Sequence, residues 1–169
     1  KLRRRQSVRQ IVNDVRVGSY IEYLDSSGAY LQVLEKRMEL TGKVVTGAKQ
    51  ASLFTQLDWV MKQCAEKLGF IPFPGTLNLE IVADDLGLMT NLKNEKGMEL
   101  LPPDQNFCIA TVFPIHIGDY EGAVVVPAEG ANIHNEKIVE IISGENLRSA
   151  LNIEDGDLVT IRFEKPLVA

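Results

Sequence analysis

From Phe107 onward the chain is a succession of short β-type runs, FCIATVFPIHI, AVVVP, KIVEIIS and LVTIRF, separated by the turn formers GDYEG and NIEDGD and by one short helical segment, ENLRSAL. Two more such runs, LTGKVVTG and TLNLEIV, come earlier. A parallel α/β sheet needs a helix after nearly every strand, and that rhythm is missing. The pattern predicts a mainly β domain with helices, closed into a compact barrel, and argues against a doubly wound sheet.

This domain is expected to start at Leu40 and run to Ala169. Within it, Phe54, Leu57, Met61, Cys64 and Leu68 recur at helical intervals, and Gly69 provides a stop, so one helix is predicted over LFTQLDWVMKQCAEKLG. Residues 83–105 are polar and rich in turn formers, which predicts a long loop or irregular excursion. Ahead of the domain, residues 1–39 read as an N-terminal helical appendage. Val8, Ile11, Val12 and Val15 mark a helix over Gln6–Val15. SYIEYL alternates like a strand, and Leu31, Leu34 and Met38 mark a second helix behind Ser26 or Ser27. Helix, strand and helix also suit the remnant of a winged-helix module.

Composition is that of an ordinary globular protein: 169 residues, 45 % hydrophobic and 24 % charged, which excludes disorder throughout. No apolar run approaches bilayer length and no signal-peptide pattern opens the chain, so the reading is cytoplasmic, with no membrane contact. Lys1, Arg3, Arg4, Arg5, Arg9 and Arg16 against Asp14 make the first 16 residues +5, so the remainder carries −10 of the overall −5. A solvated helix or linker is the simpler account of that basic segment, and nucleic-acid contact is the alternative. Cys64 and Cys108, with two scattered histidines, form no metal signature and are expected to be buried reduced thiols. No Ser-His-Asp arrangement supports a hydrolase.

The stretch GFIPFPGTLNLEI sets Thr76, Asn78 and Glu80 on one strand face, opposite Leu77, Leu79 and Ile81. Thr76 and Asn78 then offer a hydroxyl and an amide oxygen about 7 Å apart along the strand. Mg²⁺ accepts hard oxygens of this kind while keeping waters and substrate phosphates as its other ligands. The plainer account is the solvated face of an alternating strand.

Taken in order, GKVVTG, LGFIPFPGTLNLEI, GAVVVP, IHNEKIVEIIS and NLRSALNIEDGD resemble the archaeal CTP-dependent riboflavin kinase family over roughly Leu40–Glu164, with PGTLNL the most specific piece. The resemblance implies a six-stranded cradle-loop β-barrel. It also implies phosphoryl transfer from CTP to riboflavin, giving FMN and CDP. In that family the Thr and Asn of P-G-T-L-N-L bind Mg²⁺, here Thr76 and Asn78. The Glu of E-I-I, here Glu140, contacts the flavin, and a carboxylate there can accept the proton of the attacking hydroxyl. The segment after E-I-I contacts the nucleotide, here Glu145, Asn146, Leu147 and Arg148. Arg148 can offset phosphate charge.

Two positions depart from the family pattern. Its glycine-rich loop, S-G-x-G-E-G, corresponds to Thr46, Gly47, Ala48, Lys49, Gln50 and Ala51, so side chains stand where backbone amides cradle phosphate. Lys49 can serve a phosphate as a point charge. The family's flavin-contacting Thr falls nearest Asn132 in EGANIHNEK, which is two residues longer and keeps the family's His as His134. His116 reads as a surface or turn residue, and Trp59 and Phe73, which could stack on a ring, read more readily as core or cover. The altered loop leaves a second reading, a non-catalytic flavin- or nucleotide-binding sensor. A third is a DNA-binding regulator in which the barrel senses a ligand.

Overall fold

The computed structural model describes residues 4–6, 19–24, 30–35, 39–47, 50–127 and 137–164. The chain divides into two compact units, one being Glu39–Glu164 and the other built on residues 1–38. In the second of these, β1 (Arg4–Gln6), β2 (Ser19–Leu24) and β3 (Tyr30–Glu35) form an antiparallel sheet in that order. The strand expected at SYIEYL is present as β2. The helix expected around Leu31 and Leu34 is not: those residues lie in β3, which pairs with β2 over six residue positions from Ser19↔Glu35 to Leu24↔Tyr30. A short isolated helix is marginal in water, and here pairing with β2 satisfies the backbone instead. The helix expected over Gln6–Val15 lies outside the described residues apart from Gln6, which closes β1.

The barrel unit uses β4 (Glu39–Val45), β5 (Leu77–Ile81), β6 (Met98–Leu100), β7 (Ala110–Ile117), β8 (Tyr120–Pro127), β9 (Ile138–Ser143) and β10 (Leu158–Phe163). The order β10-β4-β5-β9-β8-β7 closes on itself because β10 also pairs with β7, and every pairing is antiparallel. Six strands therefore make a closed barrel, and β6 extends β7 at one side. Closure leaves the six strands no free edge. Leu40, Val44, Leu79, Val112, Ile115, Ile117, Ile141, Ile142 and Ile161 are fully buried within this unit, Val112 and Ile142 among them beneath the helix Asp58–Leu68.

Between β4 and β5 the chain forms two helices, α1 (Gln50–Thr55) and α2 (Asp58–Leu68), rather than the single helix its periodicity predicts. Thr55 accounts for the break. Its hydroxyl is turned back onto the Ala51 and Ser52 carbonyls (3.2 and 3.1 Å), a contact that competes with helix continuation. Leu57 is extended (φ −67°, ψ 132°) and its carbonyl starts α2 by accepting from Val60 and Met61, both at 3.0 Å. Gly69 ends α2 as expected, with φ 81° and its N–H on the Cys64 carbonyl at 3.1 Å. Val60 and Cys64 then pack against Leu100, Val112, Ala123, Val125 and Ile142.

Residues 83–105 are less irregular than their composition suggests. A 3-10 turn (Ala83–Asp85) leads into α3 (Leu86–Lys93), which buries Met89 and Leu92, and β6 follows. The Asp85 carboxylate accepts the Thr41 N–H at 2.8 Å and ties this excursion to β4. After β9, α4 (Leu147–Leu151) is capped by Asn146, whose side chain accepts from the Ser149 N–H at 3.3 Å. No helix among the described residues is long and apolar enough to cross a membrane.

Candidate functional site

The register of the barrel brings the key residues together. Asn78 on β5 lies opposite Val45 on β4 and Glu140 on β9, and Glu140 in turn lies opposite Val125 on β8. Directly opposed residues project to the same face, with Cβ atoms roughly 5 Å apart. The Asn78 carboxamide and the Glu140 carboxylate are therefore neighbours in one row across four strands.

Asn78 is not on a solvated face, since only 5 % of it is exposed. Its amide nitrogen donates to the Thr76 hydroxyl at 3.2 Å and the Thr76 carbonyl at 3.3 Å, so the two side chains converge far more closely than strand spacing alone suggests. Gly47 closes over it: a Cβ there would collide with the Asn78 carboxamide, so a side chain fits only if that amide shifts. The turn carrying Thr76 is pinned from two sides. The Phe73 N–H donates to the Ser143 carbonyl at 2.7 Å, and the Gly75 N–H donates to the buried Thr55 hydroxyl at 2.9 Å. Gly75 has φ 101°, a conformation that favours glycine.

Three cavities meet at Thr76, which lines all of them. The first, about 210 Å³, is apolar and walled by Phe54, Trp59 and Phe107, with Glu140 at its margin. Trp59 stands edge-on to Phe54 (centroids 6.1 Å apart, planes at 83°) and tilted to Phe107 (5.9 Å). Such a slot suits a planar aromatic ligand. The second, about 170 Å³, is lined by Phe73, Glu145, Asn146, Leu147 and Arg148 together with the Pro74–Leu77 turn. The third, about 260 Å³, is polar and lined by Thr46, Gly47, Ser52, Asn78 and Arg148, with Ala51 shared with the first.

Arg148 is held in place. Its Nη2 donates to Asp155 Oδ1 at 2.7 Å and to the Val45 carbonyl at 3.1 Å, while the Thr46 hydroxyl donates to Asp155 Oδ2. Those two donors, Thr46 first and Arg148 second, hold the Asp155 carboxyl below the usual carboxylate range.

The structure thus gathers Thr46, Gly47, Ala51, Thr76, Asn78, Glu140, Glu145, Asn146, Leu147 and Arg148 around the three cavities. Leu147 takes part from a buried position, and the Asn146 side chain is already engaged as a helix cap. Gln50 opens α1, and its side chain is not among those described. Ala48, Lys49, Asn132 and His134 lie outside the described residues. Sequence reasoning passed over Phe54, Phe107, Ser52, Thr55 and Asp155 as site residues; Trp59 fits both roles weighed for it, packing against the buried cluster and also walling the apolar cavity. Cys108 is exposed in that cavity's wall rather than buried, because β7 begins only at Ala110. His116 lines none of these cavities and pairs with Glu164 at 3.2 Å.

Comparison with known proteins bears on the same residues. The family model labelled CTP-dep_RFKase, described as a domain of unknown function DUF120, matches residues 44–163. A riboflavin kinase of Methanobrevibacter smithii is 34 % identical over 127 residues, covering 75 % of this chain and 100 % of that protein. The chain belongs to the CTP-dependent riboflavin kinase family. Riboflavin kinases of Archaeoglobus fulgidus and Methanosarcina barkeri are each 32 % identical, over 145 and 147 residues. These alignments cover 84 % and 85 % of this chain but 60 % and 64 % of those proteins, so the chain spans less than two thirds of the length of these two relatives. The family match takes in every residue that lines the three cavities, together with the Asp155 turn.

Proposed function

We propose that the barrel unit phosphorylates riboflavin, with CTP as donor and FMN and CDP as products. One observation carries this reading: the aromatic slot and the polar cavity share Thr76, and the Asn78–Glu140 pair stands where they meet. In this account the isoalloxazine ring lies against the wall formed by Trp59, Phe54 and Phe107, and the ribityl chain runs toward Glu140. The triphosphate lies along Gly47, Ser52 and Arg148. The ribityl hydroxyl oxygen attacks the terminal phosphorus, its proton passes to Glu140, and the bond from phosphorus to the bridging oxygen breaks to release CDP. Positioning and charge stabilisation supply most of the catalysis in such transfers.

The Thr76 hydroxyl and the Asn78 carbonyl oxygen are neutral hard donors on one patch of the polar cavity, which suits a Mg²⁺ ion that draws its remaining ligands from phosphate and water. When bound, Mg²⁺ would offset charge on the transferring phosphoryl group. The Asn78 amide nitrogen occupies one of the two lone pairs of the Thr76 hydroxyl oxygen, which leaves the other for the ion.

A second reading, a non-catalytic flavin or nucleotide sensor, draws on the loop. Ala51 already lies in α1, so a helix covers a position where the family pattern has glycine. Calorimetric titration with CTP, ATP and riboflavin, each with and without Mg²⁺, separates the two. The kinase reading expects riboflavin binding and Mg²⁺-dependent CTP binding. Flavin binding with no nucleotide binding would replace it by the sensor.

A further inference from the structure

We infer that Asp155, which lies outside the three cavities, is the positioning residue of the nucleotide-phosphate site, holding Arg148 and Thr46 in the arrangement that receives the donor. This inference rests on the reading above that the polar cavity takes a nucleoside triphosphate.

One carboxylate makes both contacts. Oδ1 accepts from Arg148 Nη2 at 2.7 Å and Oδ2 accepts from the Thr46 hydroxyl. Arg148 and Thr46 both line the polar cavity, whereas Asp155 does not. With the Val45 carbonyl taking a further bond at 3.1 Å, both Nη2 hydrogens are used. Nη1 and Nε are then the donors a phosphate would meet. A long arginine loses rotamer freedom when it binds. Asp155 and Val45 fix that freedom before the substrate arrives.

The same bridge sets the polarity of Thr46. An ionised carboxylate can only accept, so the Thr46 hydrogen is committed to Asp155 and its oxygen faces the cavity as an acceptor. Thr46 is therefore matched to a hydroxyl or a cation, while Arg148 is matched to the phosphates.

The fold holds this turn without help from the Asp155 side chain. The Gly156 N–H donates to the Val44 carbonyl at 2.8 Å, the Val44 N–H donates to the Asp157 carbonyl at 2.8 Å, and the Glu154 N–H donates to the Asp157 carboxylate at 2.9 Å. Removing the Asp155 carboxylate should leave the turn in place, so its effect on the site can be read separately from folding.

The test compares wild type, Asp155→Ala, Asp155→Glu, Arg148→Ala and the Asp155→Ala/Arg148→Ala double variant. It measures CTP affinity by calorimetry, KM for CTP and for riboflavin, kcat, and thermal midpoint. Asp155→Ala should raise KM for CTP about tenfold, the scale of one charge-assisted contact, while KM for riboflavin stays within about twofold. Asp155→Glu should recover part of that loss. The double variant should bind CTP little worse than Arg148→Ala, because the two residues act as one unit. An unchanged or lowered KM for CTP in Asp155→Ala would overturn the inference, and so would a matched rise in both KM values with a fall in thermal midpoint. Wild type failing to bind CTP would sink the kinase reading and this inference together. Wild-type binding with an indifferent Asp155→Ala would sink only the role given to Asp155.

Discussion

The aromatic slot and the polar cavity touch at Thr76 yet are built by different means. The slot is a packing product: Phe54 comes from α1, Trp59 from α2 and Phe107 from the segment before β7. Its walls stay together because α2 buries Val60 and Cys64 against the barrel and Phe54 of α1 packs on the same cluster. The polar cavity is a hydrogen-bond product: Asn78 is held on Thr76, Gly75 on Thr55, and Arg148 on Asp155. Packing tolerates changes of shape that conserve volume, whereas a network loses function when one partner is removed. Substitutions in the two regions should therefore produce different kinetic signatures.

The largest effect is expected at their junction. Glu140→Gln keeps the size and hydrogen-bonding reach of the side chain but removes the proton acceptor, so kcat should fall by roughly 10²–10⁴-fold while both substrate affinities change little. An equal loss in binding would move Glu140 from chemistry to recognition. Next comes Gly47→Ala, which drives a methyl group into the Asn78 carboxamide. Overpacking of this kind costs about 1–3 kcal/mol. The thermal midpoint should fall and CTP binding should weaken, while riboflavin affinity holds. A variant with normal CTP affinity would show that the Gly47–Asn78 contact lies outside the nucleotide path.

A smaller effect is expected for Trp59→Phe, which keeps an aromatic wall. KM for riboflavin should rise by about threefold to tenfold with kcat and KM for CTP unchanged, within the roughly 0.5–1.5 kcal/mol that aromatic pairs add. As Trp59 is the chain's only tryptophan, its fluorescence should be quenched by riboflavin and not by CTP. The mildest test uses the thiols. Burial pushes Cys64 up to about 11, whereas Cys108 is exposed in the slot. A thiol reagent at pH 8 should modify one thiol of two in the native protein, and riboflavin should slow it. The raised Cys64 value also fixes a sign. An unfolded chain ionises this thiol near 9.0, so its contribution to stability is complete below that pH and is lost as pH rises toward 11.

How far the sequence could be read follows the same division. The strands of the barrel announce themselves by local patterning, and PGTLNL and VEII mark Thr76, Asn78 and Glu140 before any coordinates are seen. What escaped depends on distant partners. Tyr30–Glu35 carries an apolar spacing that a helix can also use, and pairing with β2 decides it. The helix over 53–68 breaks because Thr55 bonds backward within α1 and also accepts from Gly75, twenty residues on. Asp155 sits in NIEDGD, where an aspartate reads as a turn former. Only the fold brings it to Arg148 and Thr46. Phe107 is likewise separated from Trp59 by 48 positions, and no local pattern links them.

The most direct test of the central claim is FMN formation by the purified chain from riboflavin and Mg²⁺, with CTP, ATP, GTP and UTP supplied one at a time. Phosphoryl transfer from CTP to riboflavin, with CDP appearing in equal amount, is the predicted result. Riboflavin and CTP both bound but no FMN formed with any nucleotide would contradict it.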